Sequence, residues 1–104
     1  EAGCRVIVMH LHFDWDPAKA VGNLHKHKVS FIEAAEVFQD PLALTVFDDE
    51  HAEGEERWVT LGQVKGRRLV VVAHTWLEQG EDVIHVRLIS ARLATAHEAR
   101  QYEG

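Results

Sequence analysis

Arginine is the side chain best suited to hold a phosphate, because its planar fork donates two parallel hydrogen bonds and keeps its proton at any working pH. In this 104-residue chain Arg57, Arg87 and Arg92 are the candidates for that work. Arg87 shares strand parity with Val83, His85 and Ile89, opposite Ile84, Val86 and Leu88, so it should project from the face that the more apolar set does not use. Arg92 follows at the strand end, beside the start of a last helix. The chemistry such residues suit is displacement at a phosphodiester, which needs an activated oxygen nucleophile, a cation on the phosphorane and a proton for the departing oxygen. His27, an imidazole beside Lys26, and Glu55, within an acidic run, are the candidates for proton transfer.

Each of these residues also has a plainer reading. Surface arginines commonly pair with an acidic neighbour, here Glu55 or Glu98, and merely tie the surface together. His27 can interact with the terminal carbonyls of a helix, and Glu55 can be a loop charge. Lys19, Asn23 and Lys26 line one helix face suited to RNA phosphates or to an acidic partner segment, and a solvated face has the same pattern. Tyr102 is either an active-site hydroxyl or the anchor of the last helix. His10 and His12 have a spacing compatible with metal binding, but no third ligand stands at a matching distance, so no metal is expected. Trp15, Trp58 and Trp76 can stack on RNA bases, although each sits in or beside an apolar pattern that favours packing.

The elements that must position these groups are legible from periodicity. Ile7, Met9, Leu11 and Phe13 alternate with His10, His12 and Asp14, the pattern of a half-buried strand. Asp16-Pro17 opens a helix on which Val21, Leu24 and Lys28 share one side. Ser30 and Glu33 form a capping-box pattern for a second short helix with a stripe of Phe31, Ala34, Ala35 and Phe38, ended by Asp40-Pro41. A short strand over Leu44, Val46 and Phe47 precedes an acidic loop through Glu56. Strands then follow over Arg57–Gln63, Leu69–Trp76 and Val83–Ala91, with turns at residues 64–67 and around Gln79-Gly80. Thr95 and Glu98 cap a last helix reaching Tyr102, with a thin stripe of Ala96, Ala99 and Tyr102. The order β-α-α-β-β-β-β-α predicts an α+β fold, an antiparallel sheet with helices packed on one face.

With 46% hydrophobic residues the chain can build one core and is too short for two, so 1–104 is expected to be a single domain. Residues 1–8 precede the family-like part and are expected to derive from expression or from an upstream start. A single cysteine, Cys4, rules out an intrachain disulfide and fits a reducing compartment, and no apolar run approaches the roughly 20 residues that span a bilayer. A cytoplasmic protein without a membrane partner is expected. The net charge of −6 opposes broad attraction to nucleic acid, so any RNA contact must be local.

Several blocks resemble the BrnT family of toxin–antitoxin ribonucleases. They are Phe13-Asp14-Trp15-Asp16 with Lys19 and Asn23, Lys26-His27, Val29-Ser30-Phe31, Ala34, and Val37-Phe38 with Asp40-Pro41. Later come Gly54-Glu55-Glu56-Arg57 ahead of Gly62, and residues 87–92 with Ala94, Glu98 and Tyr102. The resemblance implies a compact RelE-like fold and metal-independent, cofactor-free RNA cleavage that arrests translation. It also implies neutralisation by a BrnA-like ribbon-helix-helix antitoxin, through which alone DNA is contacted; an apolar strip is expected on the face such a partner covers, and through it the chain can dimerise when alone. Lys28 stands where the family usually has glycine, which alters the turn between the helices and can lengthen the first. Thr75-Trp76-Leu77-Glu78-Gln79 lacks an arginine common in the family. These departures and the acidity motivate a rival expectation, a catalytically inactive BrnT-like binding module in an antitoxin repressor complex.

Overall fold

A computed structural model describes residues 10–50 and 56–104; Ile7 and Met9 of the expected first strand, and Glu55, lie outside them. The elements are β1 (His10–Asp14), α1 (Pro17–His27), α2 (Phe31–Ala34) running into a 3-10 turn (Ala35–Gln39), β2 (Leu44–Phe47), β3 (Arg57–Gln63), β4 (Leu69–Thr75), β5 (Leu77–Gly80), β6 (Val83–Leu93) and α3 (Ala96–Glu103). The expected α+β class is what forms, with two refinements. A short strand, β5, occupies residues read from the sequence as turn, and the sheet is mixed because β1 lies parallel to β6.

The sheet order is β1-β6-β4-β3-β2, with β5 also on β6. At 11 residues β6 is long enough to serve three partners. Its first half takes β1, in register from His10↔Val83 to Asp14↔Arg87, and also β5; its second half takes β4, from Val70↔Leu93 to His74↔Leu88.

Local chemistry explains the helices. The Asp16 carboxylate accepts the Ala18 amide at 2.9 Å with Pro17 in the first turn, so α1 starts where the sequence predicts. It ends after His27 because Lys28 takes the left-handed conformation, φ 61°, that a glycine would adopt freely. The substituted lysine therefore keeps the helix stop and does not lengthen α1. The expected faces of α1 are corrected. Val21 and Leu24 are exposed, whereas Asn23 is buried. In the second helix a switch to 3-10 winding puts Phe31, Ala34 and Val37, three apart, on the buried side. Ser30 caps it by accepting from the Glu33 amide at 3.0 Å, but the Glu33 carboxylate pairs with Arg68. Both halves of the Thr95–Glu98 box are formed at α3.

The core lies between α2 with its 3-10 turn and one sheet face, where Val29, Phe31, Ala34 and Val37 meet Val70, Val72, Ile84, Val86, Leu88 and Ala91. Gly62 permits this closeness, since a Cβ there would stand 2.9 Å from the Val37 Cβ. Buried in the same face, His74 bonds the Thr75 carbonyl through Nδ1 (2.9 Å) and the Thr60 hydroxyl through Nε2 (2.7 Å). A carbonyl only accepts, so Nδ1 carries the proton and Thr60 donates to Nε2. Burial pushes the imidazole below its ordinary pKa. On the opposite face Leu61 and Val71 are also buried, beside Glu98 and Gln101 of α3, so that helix borders the second face. Among the described residues no helix is long and apolar enough to cross a membrane.

Candidate active site

Strand alternation carries Arg57 and Arg87 to the sheet face turned away from the core, and a bulge in β6 opposite the Ala73–His74 step brings Arg92 to that face as well. Arg87 lies between buried Val86 and Leu88, Arg92 pairs in register with Val71, and Arg57 pairs with Thr75. The three do not share one recess. Arg57 and Arg92 border a hollow of about 290 Å³ with Asp48, Ile89 and Ser90. Arg87 borders a larger one of about 540 Å³ with His85, Glu56, Thr75 and Trp76.

The two hollows differ in chemistry. Arg92 is held by a two-pronged pair to Glu98, Nη1 to Oε1 at 2.8 Å and Nη2 to Oε2 at 2.9 Å. The hydrogen bonds from Arg92, acting against partial burial and aided by the Thr95 amide, pull the Glu98 carboxyl down to about 2. Arg87 is more open. Its backbone N–H donates to the Thr75 hydroxyl at 3.0 Å, which fixes the strand end, while its side chain is over half exposed with Nε 3.7 Å from Asp14 Oδ1. The other oxygen of Asp14 lies 3.1 Å from His85 Nε2. Asp14 thus bridges an imidazole and a guanidinium at the rim of the larger hollow.

His85 and Asp14 were not among the residues singled out from the sequence. The signal for His85 was present, since it shares parity with Arg87, but Asp14 reaches both only through the parallel register Asp14↔Arg87, which no local pattern encodes. His27, expected as a proton-transfer group, ends α1 in the helical layer across the sheet from the arginines, because α1 packs on the core side of β6. Lys19 and Lys26 are exposed on the same helix. Asn23, grouped with them, is a structural residue. Its Nδ2 donates to the Val29 and Ala91 carbonyls (2.9 and 2.8 Å) and its Oδ1 accepts from the Ala91 amide (3.0 Å). Tyr102 lines neither hollow; its hydroxyl donates to Asp40 Oδ2, which ties α3 to the turn after the 3-10 segment. His10 and His12 join no group of three metal-ligating side chains among the described residues.

The profile of a family described as the ribonuclease toxin, BrnT, of type II toxin–antitoxin systems matches residues 15–98. The chain belongs to the BrnT family. Membership makes it a ribonuclease toxin of the type II class and implies an antitoxin partner. The fold agrees. The crystal structure of the ribonuclease toxin BrnT of Brucella abortus superposes with a TM-score of 0.58 at 19% identity, covering 83% of this chain and 99% of that one. No curated protein sequence matches. Within this BrnT-family chain, the cluster of Asp14, His85 and Arg87 is the arrangement best equipped for phosphodiester chemistry.

Proposed function

We propose that the chain is a cytoplasmic endoribonuclease that cuts RNA without a metal ion and so halts translation, held in check by a BrnA-like ribbon-helix-helix antitoxin that alone carries the pair to DNA. Freed of that antitoxin it forms a homodimer. The observation that carries the catalytic reading is the Asp14 carboxylate set between His85 Nε2 at 3.1 Å and Arg87 Nε at 3.7 Å.

Asp14 orients the imidazole by accepting from Nε2, which leaves the Nδ1 lone pair to take the proton of the ribose 2′-hydroxyl. The 2′-oxygen then attacks phosphorus. Arg87 holds the non-bridging oxygens as their charge grows, and the half-exposed setting of its side chain leaves the guanidinium accessible to them. The proton on His85 is returned to the departing 5′-oxygen, giving a 2′,3′-cyclic phosphate and a 5′-hydroxyl. Arg57 lies along the same face as a further cationic contact for the strand.

The test is incubation of the purified chain with single-stranded RNA at low salt in excess chelator. Cyclic-phosphate ends are expected. His85→Gln and Arg87→Gln should each slow the reaction by roughly a hundredfold or more. Intact RNA under these conditions, with normal growth on induced expression, would sink the enzymatic reading.

A second reading, an inactive module that captures an antitoxin in a repressor complex, is favoured by one observation. Arg92 is committed to Glu98 and is not open to a phosphate. On that reading Arg87→Gln leaves growth and antitoxin affinity alike unchanged.

A further inference from the structure

An apolar strip lies at one end of the sheet. β2 forms that edge, all four of its residues are exposed, and Leu44, Val46 and Phe47 among them are large and apolar. Its backbone is open as well. The Asp48 amide donates to the Arg57 carbonyl at 2.8 Å in continuous register with Leu44↔Leu61, so Leu44, Val46 and Asp48 turn their backbone groups toward β3. Thr45 and Phe47 turn theirs outward, where they meet no partner among the described residues. Edge strands are ordinarily guarded by charge, proline or a bulge. β1 carries Asp14, and β5 carries Glu78 and a register shift, but β2 has none of these guards.

We propose that this edge is the seam of the homodimer, joined by β2 of a second copy of the chain in antiparallel pairing about a two-fold axis at Val46. The proposal rests on the homodimer reading and supplies its interface. Setting Val46 opposite its own copy puts Thr45 and the partner's Phe47 in hydrogen-bonded positions, so the outward backbone groups of both copies find donors and acceptors. The side chains match too. Thr45 is small and the partner's Phe47 is large, and the pair lies on the core face, beside the Thr45 wall of a hollow of about 300 Å³ closed by Trp58 and Trp76. Charge selects the direction. Residues 41–47 are uncharged and Asp48, Asp49 and Glu50 follow at one end, so antiparallel strands place each acidic run beside neutral residues of the other copy. Parallel strands would set the two acidic runs side by side. An antitoxin strand is the competing occupant, but it would have to bring from outside the match that β2 already offers to itself. The cluster of Asp14, His85 and Arg87 lies toward the other end of the sheet, on β1 and β6, and stays open in such a pair.

The test is the mass of the purified chain by light scattering across a concentration series. Twice the chain mass is expected at high concentration. Val46→Lys sets two like charges face to face across the axis and should weaken dimerisation by roughly tenfold or more. Its circular-dichroism spectrum should not change, because Val46 is 61% exposed. In a Cys4→Ser background, which removes the chain's own cysteine, Val46→Cys should form a disulfide with its copy, since opposed Cα atoms at such a pair stand about 4.5 Å apart. Leu44→Cys should not, because its two copies are offset by about 13 Å along the strands. If a dimer persists in Val46→Lys, or Leu44→Cys links as readily as Val46→Cys, the seam is wrong and the homodimer reading stands. If the chain is a monomer at every concentration, both fail and the ribonuclease reading is untouched. If in that case Val46→Lys also abolishes antitoxin binding, the edge belongs to the antitoxin.

Discussion

Asn23 and Ala91, 68 residues apart, exchange two hydrogen bonds: Asn23 Nδ2 donates to the Ala91 carbonyl at 2.8 Å and the Ala91 amide donates to Asn23 Oδ1 at 3.0 Å. The side chain acts as an extra length of backbone clipping α1 to β6, and its remaining bond holds the Val29 carbonyl. Asn23→Ala leaves a buried N–H and two carbonyls short of partners. A loss of about 2–4 kcal/mol is expected, read as a lower urea midpoint with an unchanged slope. Asn23→Asp should also destabilise, because an oxygen would face two carbonyls.

Lys28 holds a left-handed backbone at φ 61°, where a Cβ is strained and glycine is not. Lys28→Gly should therefore stabilise the chain by about 0.5–1 kcal/mol, seen as a rise in Tm, even though the bond from Lys28 Nζ to the His25 carbonyl is lost. A fall in Tm would mean that this side-chain bond outweighs the backbone strain.

Arg87 and Arg92 sit on one strand and should fail differently. Arg92→Gln breaks the Glu98 pair and loosens α3, so its first effect is on thermal unfolding. Arg87→Gln should hardly move the melting temperature and should abolish most RNA cleavage. Equal effects of both variants on Tm and on rate would contradict this division.

Stability should fall with acidity in two steps. His74 is depressed by burial, so as pH drops below 6.5 the unfolded imidazole binds a proton that the folded one refuses, and unfolding gains. Glu98 is depressed to about 2, chiefly by Arg92, so its contribution is complete above 4.5 and drains away as pH falls toward 2. Asp40 adds to the lower step, being held below its ordinary value, against the upward push of burial, by bonds from Tyr102, Gln63 and Leu42. Denaturant midpoints across pH 2–8 check this; His74→Gln should flatten the first step and Glu98→Gln the second.

The elements and the site were legible to different degrees. Caps at Asp16, Ser30 and Thr95 marked helix starts because capping is local chemistry, and alternation marked β3, β4 and β6. The inward face of α1 was misread because the pattern sets Val21 and Leu24 against Asn23, and only the backbone of β6 shows that an amide is wanted there. The plain pairing of Arg92 with Glu98 was visible as one of two alternatives, and the geometry selects it. The bridge from Asp14 to His85 and Arg87 was invisible, since it depends on which strands become neighbours and in which direction they run.

The parallel seat of β1 against β6 has a consequence for biosynthesis. Asp14 leaves the ribosome well before the strand carrying His85 and Arg87, with two helices and four strands made in between. A growing chain therefore carries no assembled cluster until β6 has emerged, and the proposed site cannot act on a message before then.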